Sequence, residues 1–408
     1  TEKASINLNS AYVRDVIDSM ETPDPYTLVL KMKKVSFDFF NQIHNNPPHL
    51  TIASKKYVES VGRDKASQQP IGTGSWKLVE YREGSYVKFE AVQNHWRKTP
   101  EFQYLVIKEV PDSASRVMML RSGDTDIIGL PLAAMAEVQK AGFKILTSKG
   151  HPFWFVFGGL YLPTRDTFKP DVPWVGNPND PASLERALKV RKAMNLAIDK
   201  QKLLDTVLRG VGSLAPVPAY RSDQPGYDPN WKPTSYDPEQ AKKLLAEAGY
   251  PKGFPVSMRL YTLPGREEMV DLGEAIAMYF KQLGLDVKLL PQDYNTVFRP
   301  EVVAHKVYDL WPYSMSYDEA IMGWNRWGRS GNSINHIGES PWLDDKVAKA
   351  AAELDPVKRA KMQTEIGQWL IDNYWTIPIA IKDFTFAVNP KKVKDWKLMP
   401  LMTYFTGW

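Results

Sequence analysis

Asp318, in the stretch YDLWPYSMSYDEA, is one carboxylate among many in this 408-residue chain, but its setting can do chemistry. Inside a water-poor cleft one carboxylate matches one cation, and the charge-assisted bond is a strong anchor. On an open loop the same side chain is a solvated acid or a helix cap. Trp324 and Trp327 follow in MGWNRWGRS, three residues apart, a spacing at which both rings can face one way and form an aromatic wall or a core pair. Gly323, Gly328 and Gly331 around them point to a loop rather than a packed helix. Arg326 and Arg329 carry planar forks suited to a carboxylate, or equally to solvent. A second concentration of rings, FWFVF at 153–157, reads as a strand, and alternation sends Trp154 to one face and Phe153 and Phe155 to the other.

Other chemistries find less support. The chain has no cysteine, which excludes disulfides, thiolate metal sites and cysteine nucleophiles. His44, His49, His95, His151, His305 and His336 do not fall at metal-ligand spacing, and no GxSxG, HExxH or paired-carboxylate motif stands out. The net charge of +5 is modest and its lysines and arginines are scattered, without the basic stripe of a nucleic-acid groove. No apolar run approaches the length of a membrane span. Thirteen Trp and nineteen Tyr exceed the needs of a core this size; surplus rings often line ligand clefts, although burial in a large core is the commoner fate. Gly72-Thr73-Gly74 admits a phosphate-loop reading, but such a loop must open a helix whose amides bind the anion. Here WKLVEY follows, a strand pattern with a hairpin after it, and the glycines only turn the chain.

The elements that must position these residues are legible from period and punctuation. Length predicts two or three domains. Strands are predicted at 13–20 and 26–33 around Pro23-Asp24-Pro25, then a short helix at 37–43 stopped by Pro47-Pro48. A hairpin follows at 76–82 and 86–92, then a strand at 104–110 and a helix at 113–121. Residues 164–183, rich in Pro, Asp, Asn and Gly, read as a surface insertion, and helices follow at 184–198 and 200–208. Asp237 caps the next helix, Pro238 occupies its first turn, and Ala241, Leu244, Leu245 and Ala248 form its apolar stripe. A strand at 256–260, a helix at 267–283 and a strand at 285–290 make a βαβ unit, which calls for parallel neighbours. A strand at 307–315, a helix at 355–373 and a strand at 377–388 complete the pattern.

Several of these stretches carry a resemblance. PIGTGSWKL with its hairpin and QNHWR is similar to the "P-x-G-T-G-P-Y" and "N-x-x-Y/W" segments of extracytoplasmic solute-binding proteins of family 5, the oligopeptide-, dipeptide- and nickel-binding components of ABC importers. RVMMLRSGDTDII resembles the family's helix and "G-x-x-D" segment, and LKVRKAMNLAIDKQKLLDTVLRG its "VR-x-A-x-x-x-A-I-D" helix pair. YDPEQAKKLLAEAGYPKGFPVSMRLY resembles "Y-D-P-x-x-A-K-x-L-L-x-E-A-G", the most specific of the four. Together they span roughly residues 65–390.

The resemblance implies an α/β bilobal fold of the periplasmic-binding-protein type (class II, cluster C). Two mixed-sheet lobes are joined by crossover strands and close around a ligand by a hinge motion. Family members open with a strand and a long segment ahead of anything like residues 12–33, so the first lobe is expected to be incomplete here; a naturally short relative is the alternative. The implied division is 1–65 as a remnant of the first lobe's small subdomain, 66–155 as a first-lobe segment, 156–385 as the second lobe and 386–408 as the return to the first. The chain opens Thr1-Glu2-Lys3, without an initiator Met or a targeting segment, which fits a removed leader or a fragment. Edges left by a shortened lobe invite association with another chain, and a shortened pocket is also a route to lost binding.

On this footing Asp318 stands where peptide-binding members place the carboxylate that pairs with a ligand's α-ammonium group. Tyr294 matches a family position facing the cleft. Trp154, Phe153 and Phe155 fall on a crossover strand, and Tyr404 lies in the returning segment. Trp324, Trp327 and Arg326 complete the expected ligand-binding set, although Pro312, rather than an arginine, precedes Asp318 in the strand. The expected function is binding without reaction: an extracytoplasmic receptor, periplasmic in setting, that passes a peptide or other amine-bearing solute to a membrane-embedded ABC permease. No cofactor and no nucleic-acid partner are implied, and nickel would enter only within a bound chelator. A sugar binder of the same fold, or a carbohydrate-active enzyme using tryptophan platforms, is the alternative.

Overall fold

The computed structural model describes residues 14, 16–37, 39, 53–263, 266–332, 334–394 and 396. Tyr404, His44, His49 and most of the helix expected at 37–43 lie outside the described residues. The chain divides into two compact units, one of Thr1–Asp38 and Thr147–Thr385, the other of Phe39–Leu146 and Phe386–Trp408. The passages between units fall at 146/147 and 385/386, and residues 1–38 group with the larger unit.

In the larger unit, β1 (Ile17–Asp24) and β2 (Thr27–Met32) form an antiparallel ribbon. Its turn is Pro25-Tyr26, at the end of the expected Pro-Asp-Pro whose Pro23 and Asp24 belong to β1, and the amide of Tyr26 donates to Asp24 Oδ1 at 2.7 Å.

The smaller unit begins with two short helices, α1 (Lys55–Val61) and α2 (Arg63–Gln68). Strands β3 (Trp76–Arg82), β4 (Tyr86–Ala91) and β5 (Tyr104–Lys108) then form an antiparallel sheet in that order. The glycine turn precedes β3 and opens no helix. Thr73 spends its carbonyl on the QNHWR segment, accepting from Trp96 Nε1 at 3.1 Å and lying 2.8 Å from His95 Nε2. Asp112 caps α3 (Ser113–Ser122), and β6 (Ile127–Gly129) and α4 (Met135–Lys140) follow. Val117, Leu120, Ile128, Leu130, Val138 and Ala387 make this unit's core.

The main sheet of the larger unit is built from both halves of the sequence. Strand β7 (Lys144–Phe157) is far longer than its aromatic end. Helices α5 (Pro181–Leu196) and α6 (Lys200–Thr206), a short β8 (Ser213–Leu214) and α7 (Pro238–Glu247) follow. Asp237 caps α7 by accepting the Gln240 amide at 2.9 Å. Strand β9 (Pro255–Leu260), α8 (Glu268–Gln282) and β10 (Asp286–Pro291) form the expected unit, its strands pairing in parallel. After a wide turn at Tyr294–Phe298 come α9 (Arg299–Val303), β11 (Leu310–Ser314) and α10 (Ala320–Trp327). Helices α11 (Pro341–Ala352) and α12 (Pro356–Asp372) lead into β12 (Thr376–Val388). Within this unit the strand order is β10-β9-β11-β7-β12, with β8 also on β12; the end of β12, Phe386–Val388, pairs antiparallel with β6 in the smaller unit.

Two expectations change. The loop at 164–183 is no loose insertion: Trp174 and Val175 are buried, and the Trp174 indole donates to the Gly158 carbonyl at 2.7 Å. Residues 320–327 are helical where glycines suggested a loop. A Cβ on Gly323 would lie 3.0 Å from the Tyr317 ring, so the glycine there admits a close-packed ring.

Candidate functional site

Strand register decides which rings meet. On β11, Tyr313 stands opposite Trp154 of β7 and Trp311 opposite Val156. The Trp154 and Tyr313 rings pack edge to face, 5.2 Å apart. Tyr313 in turn stacks on His336 with centroids 3.7 Å apart, and Trp327 sits 5.9 Å from the same imidazole. Trp154 Nε1 donates to the His336 carbonyl at 3.2 Å, fixing that segment against β7. Beyond the end of β9, Tyr261 packs on Tyr294 at 4.9 Å and on Phe298 at 5.1 Å, and Phe298 reaches Trp311 at 5.6 Å. The face carrying Trp311 and Tyr313 is therefore an aromatic floor assembled from six stretches of the sequence.

Arginine charge acts on several of its phenols. Burial pushes the phenols of Tyr261 and Tyr313 well above their usual range, and Arg266 pulls each back only in part. Tyr317 and Tyr294 are raised by burial in the same way, against opposing influences from Arg326 and Arg266 on the first and Arg299 and Arg266 on the second. The phenols thus stay protonated at neutral pH, Tyr261 donating to the Pro312 carbonyl and Tyr313 to Met315 Sδ at 3.6 Å, beside guanidinium groups that favour an anion. Trp327 Nε1 donates to the Tyr317 hydroxyl, and the Arg326 guanidinium lies 5.1 Å from the Trp327 ring.

The segment carrying Asp318 is pinned on both sides. Arg221 Nη1 donates to Ser316 Oγ at 2.5 Å and to the Tyr317 carbonyl at 3.1 Å, and Gln224 donates to the same carbonyl. Arg221 is itself paired with Asp223 at 3.0 Å, and Asp223 with Lys149 at 2.7 Å. Glu319 is held by both forks of Arg359 at 2.9 Å and by Gln363 at 3.0 Å. Asp318, between these anchors, is exposed.

The expected site residues separate into two groups. Tyr294, Trp327 and Arg326 belong to the aromatic, arginine-flanked region, with Asp318 in the adjoining pinned segment, while Trp154 shares its face but is itself buried and packed on Tyr313. Phe153 and Phe155 lie on the opposite face of β7 and are buried, with Phe155 3.7 Å from the Cβ position of Gly273 in α8, so they are core. Trp324 is also core: fully buried, its ring 6.1 Å from Tyr220, it offers no open face to a solute. Tyr404 lies outside the described residues. The sequence reading missed Tyr261, Tyr313, Tyr317, Arg266, Arg299 and His336, which carry no local motif; only the pairing of β11 with β7 collects several of them.

His336 is the most unusual of these. It is 1% exposed, and neither ring nitrogen has a hydrogen-bond partner. Burial, aided by Arg299, pushes its pKa down to about 3, so the ring is neutral. An unpartnered buried donor costs about 1–3 kcal/mol. Its loop is nevertheless rigidly held: Glu339 accepts from Arg165 Nε at 2.6 Å, from Arg165 Nη2 at 2.7 Å and from the Leu162 amide at 2.9 Å. Among the described residues, no three His, Cys, Asp or Glu side chains are grouped as around a metal ion. Nor is any helix there long and apolar enough to cross a membrane.

Comparison with known proteins places the chain. The family model for bacterial extracellular solute-binding proteins, family 5 (middle region), matches residues 2–335. The chain belongs to that family. This family 5 protein is 28% identical over 246 residues to heme-binding protein A of Haemophilus influenzae, covering 59% of this chain and 41% of the relative. It is 25% identical over 379 residues to di/tripeptide-binding protein 3 of Pseudomonas aeruginosa, covering 86% of this chain and 64% of the relative. The chain thus spans between two-fifths and two-thirds of the lengths of these relatives. Its fold matches the periplasmic binding protein DppA of Helicobacter pylori in complex with the peptide STSA, with a TM-score of 0.75 at 19% identity. That match covers 96% of this family 5 chain and 73% of the other. The α/β periplasmic-binding-protein fold expected from the motifs is the fold observed.

Proposed function

We propose that the protein is the solute-capturing receptor of an ABC importer in an extracytoplasmic compartment, and that it takes a peptide or similar amine-bearing solute without transforming it. The observation that carries the reading is the aromatic floor around Tyr313, flanked by Arg266, Arg299 and Arg326, with the exposed Asp318 on a pinned segment beside it. A zwitterion fits this polarity, its ammonium group on Asp318 and its carboxylate toward the arginines, with apolar side chains on Tyr294 and Trp327. Rigid anchors at Ser316, Tyr317 and Glu319 mean that little ordering remains when the solute binds. The sugar reading loses one platform, because stacking needs an open ring face and Trp324 has none.

A thermal-shift titration with a mixture of di- and tripeptides tests this. Ligand at a hundredfold excess over Kd adds about 2.7 kcal/mol to the folded state, so the melting temperature rises. A melting temperature unmoved by the whole mixture contradicts the reading. Asp318→Ala is expected to weaken the best peptide about 10- to 100-fold, the loss of one charge-assisted bond. Unchanged affinity removes Asp318 as the ammonium anchor.

A further inference from the structure

We infer that His336 is a solute-reading residue of this site, its neutral imidazole offering one N–H and one lone pair to an amide or carboxyl group of the bound molecule. The inference rests on the receptor reading above and deepens it. Three observations converge. The ring is 1% exposed, yet both of its nitrogens lack partners, an arrangement that buried polar groups rarely keep without a use. It is stacked at 3.7 Å on Tyr313, the centre of the aromatic floor, and flanked by Trp327. Its position is set by the Trp154 bond to its carbonyl and, further along the same loop, by Glu339 bound to Arg165. The Asn335 side chain holds the same turn by accepting the amides of Ile337 and Gly338, each at 2.8 Å. The backbone is thus committed, while both ring nitrogens are buried and left without a partner.

The imidazole suits an amide or carboxyl group because such a group also pairs a donor or acceptor in one plane. A neutral ring carries both functions at once and an imidazolium carries donors only. Burial, with a smaller push from Arg299, holds the ring neutral, and the Arg299 charge adds attraction for a carbonyl or carboxylate oxygen.

His336→Phe keeps the aromatic stack and removes both nitrogens, and His336→Gln restores a donor and an acceptor. Each is to be compared with wild type for melting temperature without peptide and for binding of the di- and tripeptide mixture. We expect the Phe variant to melt at or above the wild-type temperature and to bind about tenfold or more weakly, with Gln recovering part of the loss. A lower melting temperature for His336→Phe shows that the nitrogens serve the fold and overturns the inference. Equal binding by wild type and His336→Phe overturns it as well, while leaving the receptor reading standing. A wild type that binds no peptide removes both.

Discussion

Gly150→Ala is expected to cost the fold at least about 3 kcal/mol, or to leave no soluble protein. Gly150 lies inside β7, and a Cβ there would sit 1.6 Å from the Lys382 carbonyl oxygen and 2.8 Å from the Asp383 Cα of β12. Both obstacles are backbone, so no side chain can swing away and one strand must move. Overpacking of a core commonly costs about 1–3 kcal/mol, and a clash between main chains exceeds that range. β12 is approached as closely by Gly212, whose Cβ would lie 2.0 Å from the Ile381 oxygen at a φ of +117°. Two glycines thus let β7 and the β8 region close on the same short run of β12. Denaturant unfolding checks the prediction, with Gly129→Ala as control: it meets nothing within 4 Å, so its effect should stay within about 1 kcal/mol. Equal stability of Gly150→Ala and wild type would show that the strands are not packed this closely.

The same run of β12 carries the second large effect. Lys382 and Glu268 form an ion pair at 2.9 Å with side chains only 5% and 7% exposed. Taking one charge away leaves the other desolvated and uncompensated, so Glu268→Ala should lose about 3–5 kcal/mol. Replacing both, Glu268→Leu with Lys382→Met, should recover most of that, because an apolar pair of similar volume avoids the desolvation cost altogether. A double-mutant cycle by chemical denaturation reads both numbers. A double variant as unstable as Glu268→Ala would mean that packing around the pair, rather than the stranded charge, sets the loss.

The contrast between what was legible in the sequence and what was not follows from range. The unit from β9 to β10 is announced by local signals: alternation in the strands, a 3.6 period in the helix, and Asp237 and Pro238 opening the helix before it. The hairpin after Gly72-Thr73-Gly74 is legible for the same reason. Trp324 is misread because glycine has two uses, and sequence alone does not separate them. Gly323 suggests flexibility, yet its lack of a side chain admits the Tyr317 ring against a regular helix. Trp174 is misread because the Pro- and Asp-rich stretch around it has loop composition, while its buried indole is satisfied by a distant carbonyl.

The site was legible only in part. Trp327 and Tyr294 stand out as surplus aromatics near turns, and alternation puts Trp154 on the face opposite Phe153 and Phe155. His336 gives no local signal. As one of six histidines without metal spacing it invites no notice until β11 is paired with β7 and the ring is found stacked on Tyr313. Arg266 and Arg299 are likewise ordinary surface residues by type, and acquire meaning only beside buried phenols.

Native mass spectrometry of the purified protein, before and after mild denaturation, tests the central claim most directly. The account predicts a small peptide released on denaturation, or taken up intact from the di- and tripeptide mixture and returned with its mass unchanged. A released sugar, a cleaved peptide, or a protein that stays at its unliganded mass throughout contradicts it.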